Sequence, residues 1–144
     1  MKIAIGCDHA AYEIKNKLKD FLIKGGHDMI DEGTNSAESV DYPVYGHAVA
    51  NKVISGVVER GIVICGSGIG ISIAANKIKG IRAALCTSEV HAKLSRQHND
   101  ANILALGARL TEFNDILAIV DIWLKTPFEG GRHLNRINMI DINE

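Results

Sequence analysis

The chain has 144 residues and a mass of 15.6 kDa, a size at which one compact domain buries roughly 68–70% of its unfolded surface. An apolar fraction of 47% and a charged fraction of 23% argue against disorder. A net charge of −1 gives no bulk attraction to nucleic acid or anionic membrane, so any anionic ligand must be held by a local cluster of donors.

The first ten residues do not read as a secretion signal, because Asp8 and His9 interrupt the short apolar stretch from Ile3 to Cys7. No segment reaches the ~20 apolar residues that span a bilayer; the best candidate, 116–124, is broken by Asp121. Cys7, Cys65 and Cys86 form no C-x-x-C pair, and three cysteines without a signal point to reduced thiols in the cytoplasm. Spacing typical of zinc ligands is absent, so no metal is expected.

Along the chain, short apolar runs alternate with amphipathic segments. Residues 2–7 read as a buried strand, followed by a helix over 10–24 with Ala11, Ile14, Leu18, Phe21 and Leu22 at helical spacing, ended by Gly25-Gly26. A short strand over 27–31 and a polar loop over 32–41 precede a helix over 42–55, with Pro43 in its first turn. The run 61–65 is the most strand-like of all, and a helix over 69–78 stops at Gly80. A strand over 82–86 leads to a helix over 88–98 with Ser88 as N-cap. The last strand covers 103–106, and Thr111 is the expected N-cap of a helix over 111–125, with Pro127 beyond its end.

Five strands alternating with helices predict one α/β domain: a parallel sheet with helices on both faces, a three-layer α/β/α arrangement of the Rossmann-like type. In such sheets ligands bind beyond the carboxyl ends of the strands. Two strand-end loops are rich in chemistry there.

The first is Cys65-Gly66-Ser67-Gly68-Ile69-Gly70, between a strand and a helix. Its three glycines let backbone amides approach a ligand, and the helix start adds a partial positive charge, so the loop suits an anion. It is not a dinucleotide fingerprint, since Ile71 stands where the third glycine is required, and the P-loop pattern is missing. Thiols at helix N-termini ionise more readily and serve as bases or nucleophiles, whereas strand-end cysteines also occur as inert apolar residues; both roles fit Cys65. For Cys7 and Cys86 the inert role is expected.

The second loop holds Asp8 and His9, which suit ligand capture, helix capping, or both. His98 ends a helix, where a dipole-stabilised surface imidazole is common. Arg132 and Arg136 share one face of a helical turn and suit either a phosphate or a solvated basic patch. The surrounding tail, 127–144, carries Leu134, Ile137, Met139, Ile140 and Ile142, so it must cover an apolar surface; a tail packing on a partner subunit of a homodimer is expected.

Taken together, these residues resemble the RpiB/LacAB sugar-phosphate isomerase family, that of ribose-5-phosphate isomerase B. The resemblance covers essentially the whole chain: I-G-C-D-H-A-A at 5–11, D-Y-P at 41–43, G-I-V-I-C-G-S-G-I-G-I-S-I-A-A-N-K at 61–77, H-N at 98–99, A-L-G-A-R at 105–109 and G-R-H-L-N-R at 131–136. It implies reversible interconversion of ribose 5-phosphate and ribulose 5-phosphate through an enediolate, with Cys65 as the base and Ser67 beside it. His98 matches the residue that opens the furanose ring. Asp8, His9, Gly66, Ser67, Gly68, Ile69, Gly70, Asn99, Arg109, Arg132 and Arg136 match substrate-binding positions, with His9, Arg132 and Arg136 on the phosphate. No cofactor or metal is implied, and the family assembles as dimers or tetramers with sites built from two chains. Many members carry threonine where this chain has Ser67, a change that keeps the hydroxyl. Related members act on galactose 6-phosphate, so six-carbon substrates and a non-catalytic sugar-phosphate sensor are the alternatives.

Overall fold

Residues 1–142 are described by the computed structural model of the chain. Five apolar runs form strands, β1 (Lys2–Cys7), β2 (Asp28–Asp31), β3 (Arg60–Cys65), β4 (Ala83–Leu85) and β5 (Ile103–Gly107). Between and after them come six helices: α1 (Tyr12–Lys24), α2 (Tyr42–Ile54), α3 (Ile69–Asn76), α4 (Glu89–Asn99), α5 (Phe113–Lys125) and α6 (Arg132–Ile137). The strands lie in the order β2-β1-β3-β5-β4, and every pairing is parallel.

Alternation along the strands divides the core in two. Ile3, Ile5, Ile62, Ile64, Leu104 and Leu106 pack with Leu18 of α1, Ala92 of α4 and Trp123 of α5. Their neighbours Ala4, Val63, Cys65 and Ala105 point the other way, onto Val49 of α2 and Ile71 of α3. Each fully buried aliphatic contributes roughly 1.5–3 kcal/mol of burial energy. The period of two in β3 therefore sends the Cys65 side chain to the α2–α3 side.

Sheet order fixes where a ligand can enter. From β1 the chain steps outward to β2 and then returns to the other side of β1 with β3, so the loops after β1 and β3 diverge and leave a crevice between them. Asp8 follows β1 and Gly66 follows β3 at that point.

Several element ends differ from the sequence expectation: α3 stops at Asn76 rather than 78, and three others have identifiable causes. The first helix begins as a 3-10 turn over His9–Ala11 before α1, because Asp8 caps it by accepting from the Ala10 amide at 3.1 Å. Thr111 is not the N-cap of α5: the helix starts at Phe113 after Glu112, without a side-chain cap. Leu110 and Thr111 instead complete a turn, both donating to the Gly107 carbonyl. Strand β4 is shorter than 82–86, since the Arg82 amide bonds the Asn102 side chain at 2.8 Å. Ser88, by contrast, does cap α4, accepting from the His91 amide.

The last two residues of the 127–144 tail lie outside the described residues. Within the tail, Leu134, Met139, Ile140 and Ile142 are exposed. Among the described residues no helix is long and apolar enough to cross a membrane.

Candidate active site

The crevice at the carboxyl edge has a volume of about 410 Å³ and is lined by Asp8, Tyr42, Cys65, Gly66, Ser67, Gly70, Arg109 and Leu110. Cys65 is only 5% exposed, but its side chain borders this open crevice. Its sulfur accepts a hydrogen bond from the Gly68 amide at 3.2 Å. That bond requires the loop to fold back within three residues, which it does by placing Gly68 in the left-handed region at φ +79°. A Cβ there would lie 2.6 Å from Leu85 Cδ1 and 2.8 Å from the Leu106 carbonyl carbon, so only glycine fits.

Two of the loop amides are thus engaged internally, Gly68 with the sulfur and Ile69 with Ser67 Oγ at 3.1 Å. Gly70, in the first turn of α3, belongs to the amides that have no acceptor within the helix and are directed to its N-terminal side. The loop is held from below by β5 and its following turn: Ala108 and Arg109 amides donate to the Cys65 and Gly66 carbonyls, both at 2.9 Å. Arg109 lies over Gly66, with its Cδ 3.4 Å from where a Cβ would stand, and brings a guanidinium to the mouth of the crevice.

The other two thiols contrast with Cys65. Cys7 and Cys86 are sealed in the core, and burial pushes each up to about 11. Neither lines the crevice.

Asp8 is 7% exposed; it caps the 3-10 turn and also lines the crevice. His9 Nδ1 accepts from the Val40 amide at 3.1 Å, so a neutral ring carries its proton on Nε2 and offers a donor. The 32–41 loop that supplies Val40 is anchored by Lys15, buried at 1% exposure, which donates to Asp31 Oδ1 at 2.9 Å and to the Thr34 carbonyl at 2.6 Å. Burial alone would raise the Asp31 carboxyl, but bonds from Lys15, Lys19 and the Gly33 amide outweigh it and hold the group below its ordinary value.

The remaining predicted residues stand elsewhere. Helix α4 starts after the carboxyl end of β4 and runs back, so His98 and Asn99 lie at the amino edge of the sheet, just before β5. Arg132 and Arg136 share α6, which packs on α4, and both are exposed. Buried Arg96 fixes this region, donating to the carbonyls of Thr126 and Ala101 and to Asp100. Asn99 also lines a separate cavity of about 360 Å³ beside β4, with Asn76, Arg82 and Asp141.

His98 has two neighbours that the sequence reading did not single out. Its ring stacks on buried His133, with centroids 4.3 Å apart and planes at 15°. Glu129 Oε1 lies 3.7 Å from His98 Nε2 and 3.5 Å from His133 Nε2. The three ligand-type atoms lie within 4.8 Å of one another. Parallel rings keep their in-plane lone pairs in separate planes, however, so both could bind one cation at roughly 2.1 Å only after splaying apart. Tyr42 was also missed as a site residue. Its ring rests on Gly70, where a Cβ would stand 2.6 Å from the ring carbon Cζ, and it walls the crevice.

Comparison with known proteins agrees with this geometry. The family model described as Ribose/Galactose Isomerase matches residues 3–140. Ribose-5-phosphate isomerase B of Escherichia coli is 50% identical over 139 residues, covering 96% of this chain and 93% of its own. Galactose-6-phosphate isomerase subunit LacB of Clostridium acetobutylicum is 42% identical, covering 90% and 75%. The solved structure of Clostridium thermocellum ribose-5-phosphate isomerase B superposes with a TM-score of 0.97 at 58% identity, over 97% of this chain and 95% of that one. With the family model matched over residues 3–140 and these relatives covering nearly the whole chain, the chain belongs to the ribose/galactose isomerase family.

Proposed function

We propose that the chain is an aldose–ketose isomerase that interconverts ribose 5-phosphate and ribulose 5-phosphate, with Cys65 as the base. The observation that carries this is the Cys65 sulfur at the wall of an open crevice, accepting the Gly68 amide within a glycine loop. In the forward direction His98 gives a proton to the ring oxygen as the C1–O bond breaks, and the C1 hydroxyl loses its proton to solvent. Cys65 thiolate then takes the C2 proton, the carbonyl electrons move to O1, and an enediolate forms. Return of the proton to C1, with transfer of the O2 proton to O1, gives the ketose.

The enediolate carries negative charge on oxygen, and backbone amides aimed at such a charge contribute about 3–4 kcal/mol each to barrier lowering. Gly70 at the start of α3 has the orientation for this, and Ser67 Oγ adds a hydroxyl beside the base. Asp8 is placed to accept from sugar hydroxyls and His9 to donate. The phosphate is a spectator that fixes the sugar, gripped by His9, Arg132 and Arg136. Asn99 and Arg109 complete the substrate contacts.

The distances support a homodimer. The strand between the two site halves spans five residues, roughly 16 Å at ~3.3 Å per residue. A pentose phosphate is too short to touch both Cys65 and His98 of one chain across that span, which supports a site in which the amino-edge group of one subunit faces the crevice of its partner. The exposed apolar tail supports the same assembly, with a dimer of dimers as its extension. The enzyme works in the cytoplasm without a metal or organic cofactor.

The relation to a galactose-6-phosphate isomerase subunit favours one second reading, a six-carbon sugar phosphate as substrate. Turnover of ribose 5-phosphate, allose 6-phosphate and galactose 6-phosphate, each with and without a chelator, tests both points. Ribose 5-phosphate should be turned over fastest, at a rate the chelator leaves unchanged. Turnover of only a hexose phosphate would reassign the substrate, and binding without turnover of any would make the chain a sensor.

A further inference from the structure

His133 and Glu129 lie outside the crevice, and neither touches Cys65 or the glycine loop, yet both are built against His98. His98 is half-exposed on the last turn of α4, where an unsupported imidazole would turn freely about its side-chain torsions. Its surroundings remove that freedom. One ring face lies on His133, which is nearly buried, and the Nε2 edge faces the Glu129 carboxylate. Glu129 is itself tied to α4, because its backbone amide donates to the Gln97 carbonyl at 3.1 Å.

We infer that His133, with Glu129, is a positioning residue for ring opening: it holds the His98 ring in one orientation, with the Nε2 edge toward the carboxylate. Two stacked imidazoles do not both carry charge at low cost, so one of them must stay neutral. The charged groups around His133 decide which. Arg132 and Arg136 face it from α6 and His98 from α4, all disfavouring its protonated form, against Glu129 from the preceding loop. Burial acts in the same direction as the cations and holds His133 below the ordinary imidazole value. His98 is the more exposed partner and faces the same carboxylate, so it is the ring of the pair that is open to the sugar ring oxygen.

This role rests on the ring opening proposed above for His98, and the test separates the two. Ribulose 5-phosphate has no ring to open, because its terminal hydroxyl is esterified. Exchange of its C1 proton with D2O, followed by NMR, therefore reports the Cys65 step alone, whereas turnover of ribose 5-phosphate includes ring opening. His133→Asn should lower turnover of ribose 5-phosphate by about tenfold, the scale of one misplaced acid–base group, and leave the exchange within about twofold. His133→Phe keeps a flat buried ring and should recover most of that loss. Glu129→Gln should likewise lower ribose 5-phosphate turnover more than the exchange, since the charge that orients the His98 Nε2 edge is gone.

Equal falls in exchange and turnover for His133→Asn would overturn the inference and make His133 a structural support of the whole site. Unchanged turnover in both His133 variants would overturn it as well. His98→Asn is the control: if it separates exchange from turnover while His133→Asn does not, only the positioning role fails. If His98→Asn does not separate them, ring opening by His98 fails and the role of His133 with it.

Discussion

Cys65 and His98 stand at opposite edges of one parallel sheet. The thiol ends β3 at the carboxyl edge, beside the crevice, and the imidazole lies in the last turn of α4, just before the amino end of β5. Both are placed by the same rule of α/β folds: a helix that follows a strand must run back antiparallel to it. A residue at the end of such a helix is therefore carried away from the loop where that helix began.

Subunit mixing tests the consequence of that separation. Cys65→Ala and His98→Asn variants are each expected to be inactive on ribose 5-phosphate at working enzyme concentrations. In the proposed homodimer, refolding the two together makes half of the dimers hybrids, and each hybrid would hold one intact site and one doubly altered site. Recovery of about one quarter of native activity is expected. No recovery, with hybrids verified by native mass spectrometry, would place both residues in a single-chain site.

Thiol labelling should discriminate among the three cysteines. Cys7 and Cys86 are sealed and pushed up to about 11 by burial, whereas Cys65 borders the crevice. Iodoacetamide near pH 8 should modify Cys65 at least about tenfold faster than either, with protection by ribose 5-phosphate, as read by peptide mass spectrometry. Comparable labelling of Cys7 or Cys86 would contradict the burial that separates them.

Gly68→Ala should be costly in both stability and activity. The position is left-handed and its Cβ would meet Leu85 and the β5 backbone, so a loss of about 2–4 kcal/mol is expected by denaturant titration. Since the same turn delivers the Gly68 amide to the Cys65 sulfur, turnover should fall even in the folded fraction. Native turnover per folded molecule would show that this hydrogen bond is dispensable.

The phosphate grip proposed for Arg136 should show in binding. Arg136→Ala is expected to raise KM for ribose 5-phosphate roughly 10- to 100-fold with a smaller change in kcat, the scale of one charge-assisted bond to phosphate. An unchanged KM would free Arg136 from that role.

Acid should weaken the anchor of the 32–41 loop. The Asp31 carboxyl is held below its unfolded value near 3.8, so its contribution is fully present above that value and is lost as pH falls toward the folded one. Asp31→Asn should cost about 1–3 kcal/mol at pH 7, less than a fully buried pair because the Asp31 side chain is 22% exposed. It should also flatten the stability-against-pH curve below about pH 4. An unaltered slope there would assign the acid sensitivity to other carboxylates.

Much of this architecture is written in local pattern. The apolar runs 61–65 and 103–106 form buried strands as their pattern suggests, and Ser88 and Pro43 mark helix starts, whereas α3 ends at Asn76, ahead of Gly80. Thr111 misled because a good capping residue is also a good turn residue, and the carbonyl of Gly107, set by β5, decided between them. The crevice half of the site was legible for the same reason: Asp8, Cys65 and Ser67 are strand-end residues, and strand ends are visible in sequence. Tyr42 was not, because its place against Gly70 depends on how α2 packs on α3. The His98–His133 stack was hidden by a separation of 35 positions, although Glu129 and His133 at i, i+4 on either side of a glycine pair carry a faint signal of it.

The central claim concerns the sulfur of Cys65, and turnover against binding in Cys65→Ala tests it most directly. Loss of isomerisation by at least about a thousandfold is expected, while calorimetry should find ribose 5-phosphate bound within a few-fold of the native affinity. A Cys65→Ala enzyme that turned over ribose 5-phosphate at the native rate would show that another group moves the proton.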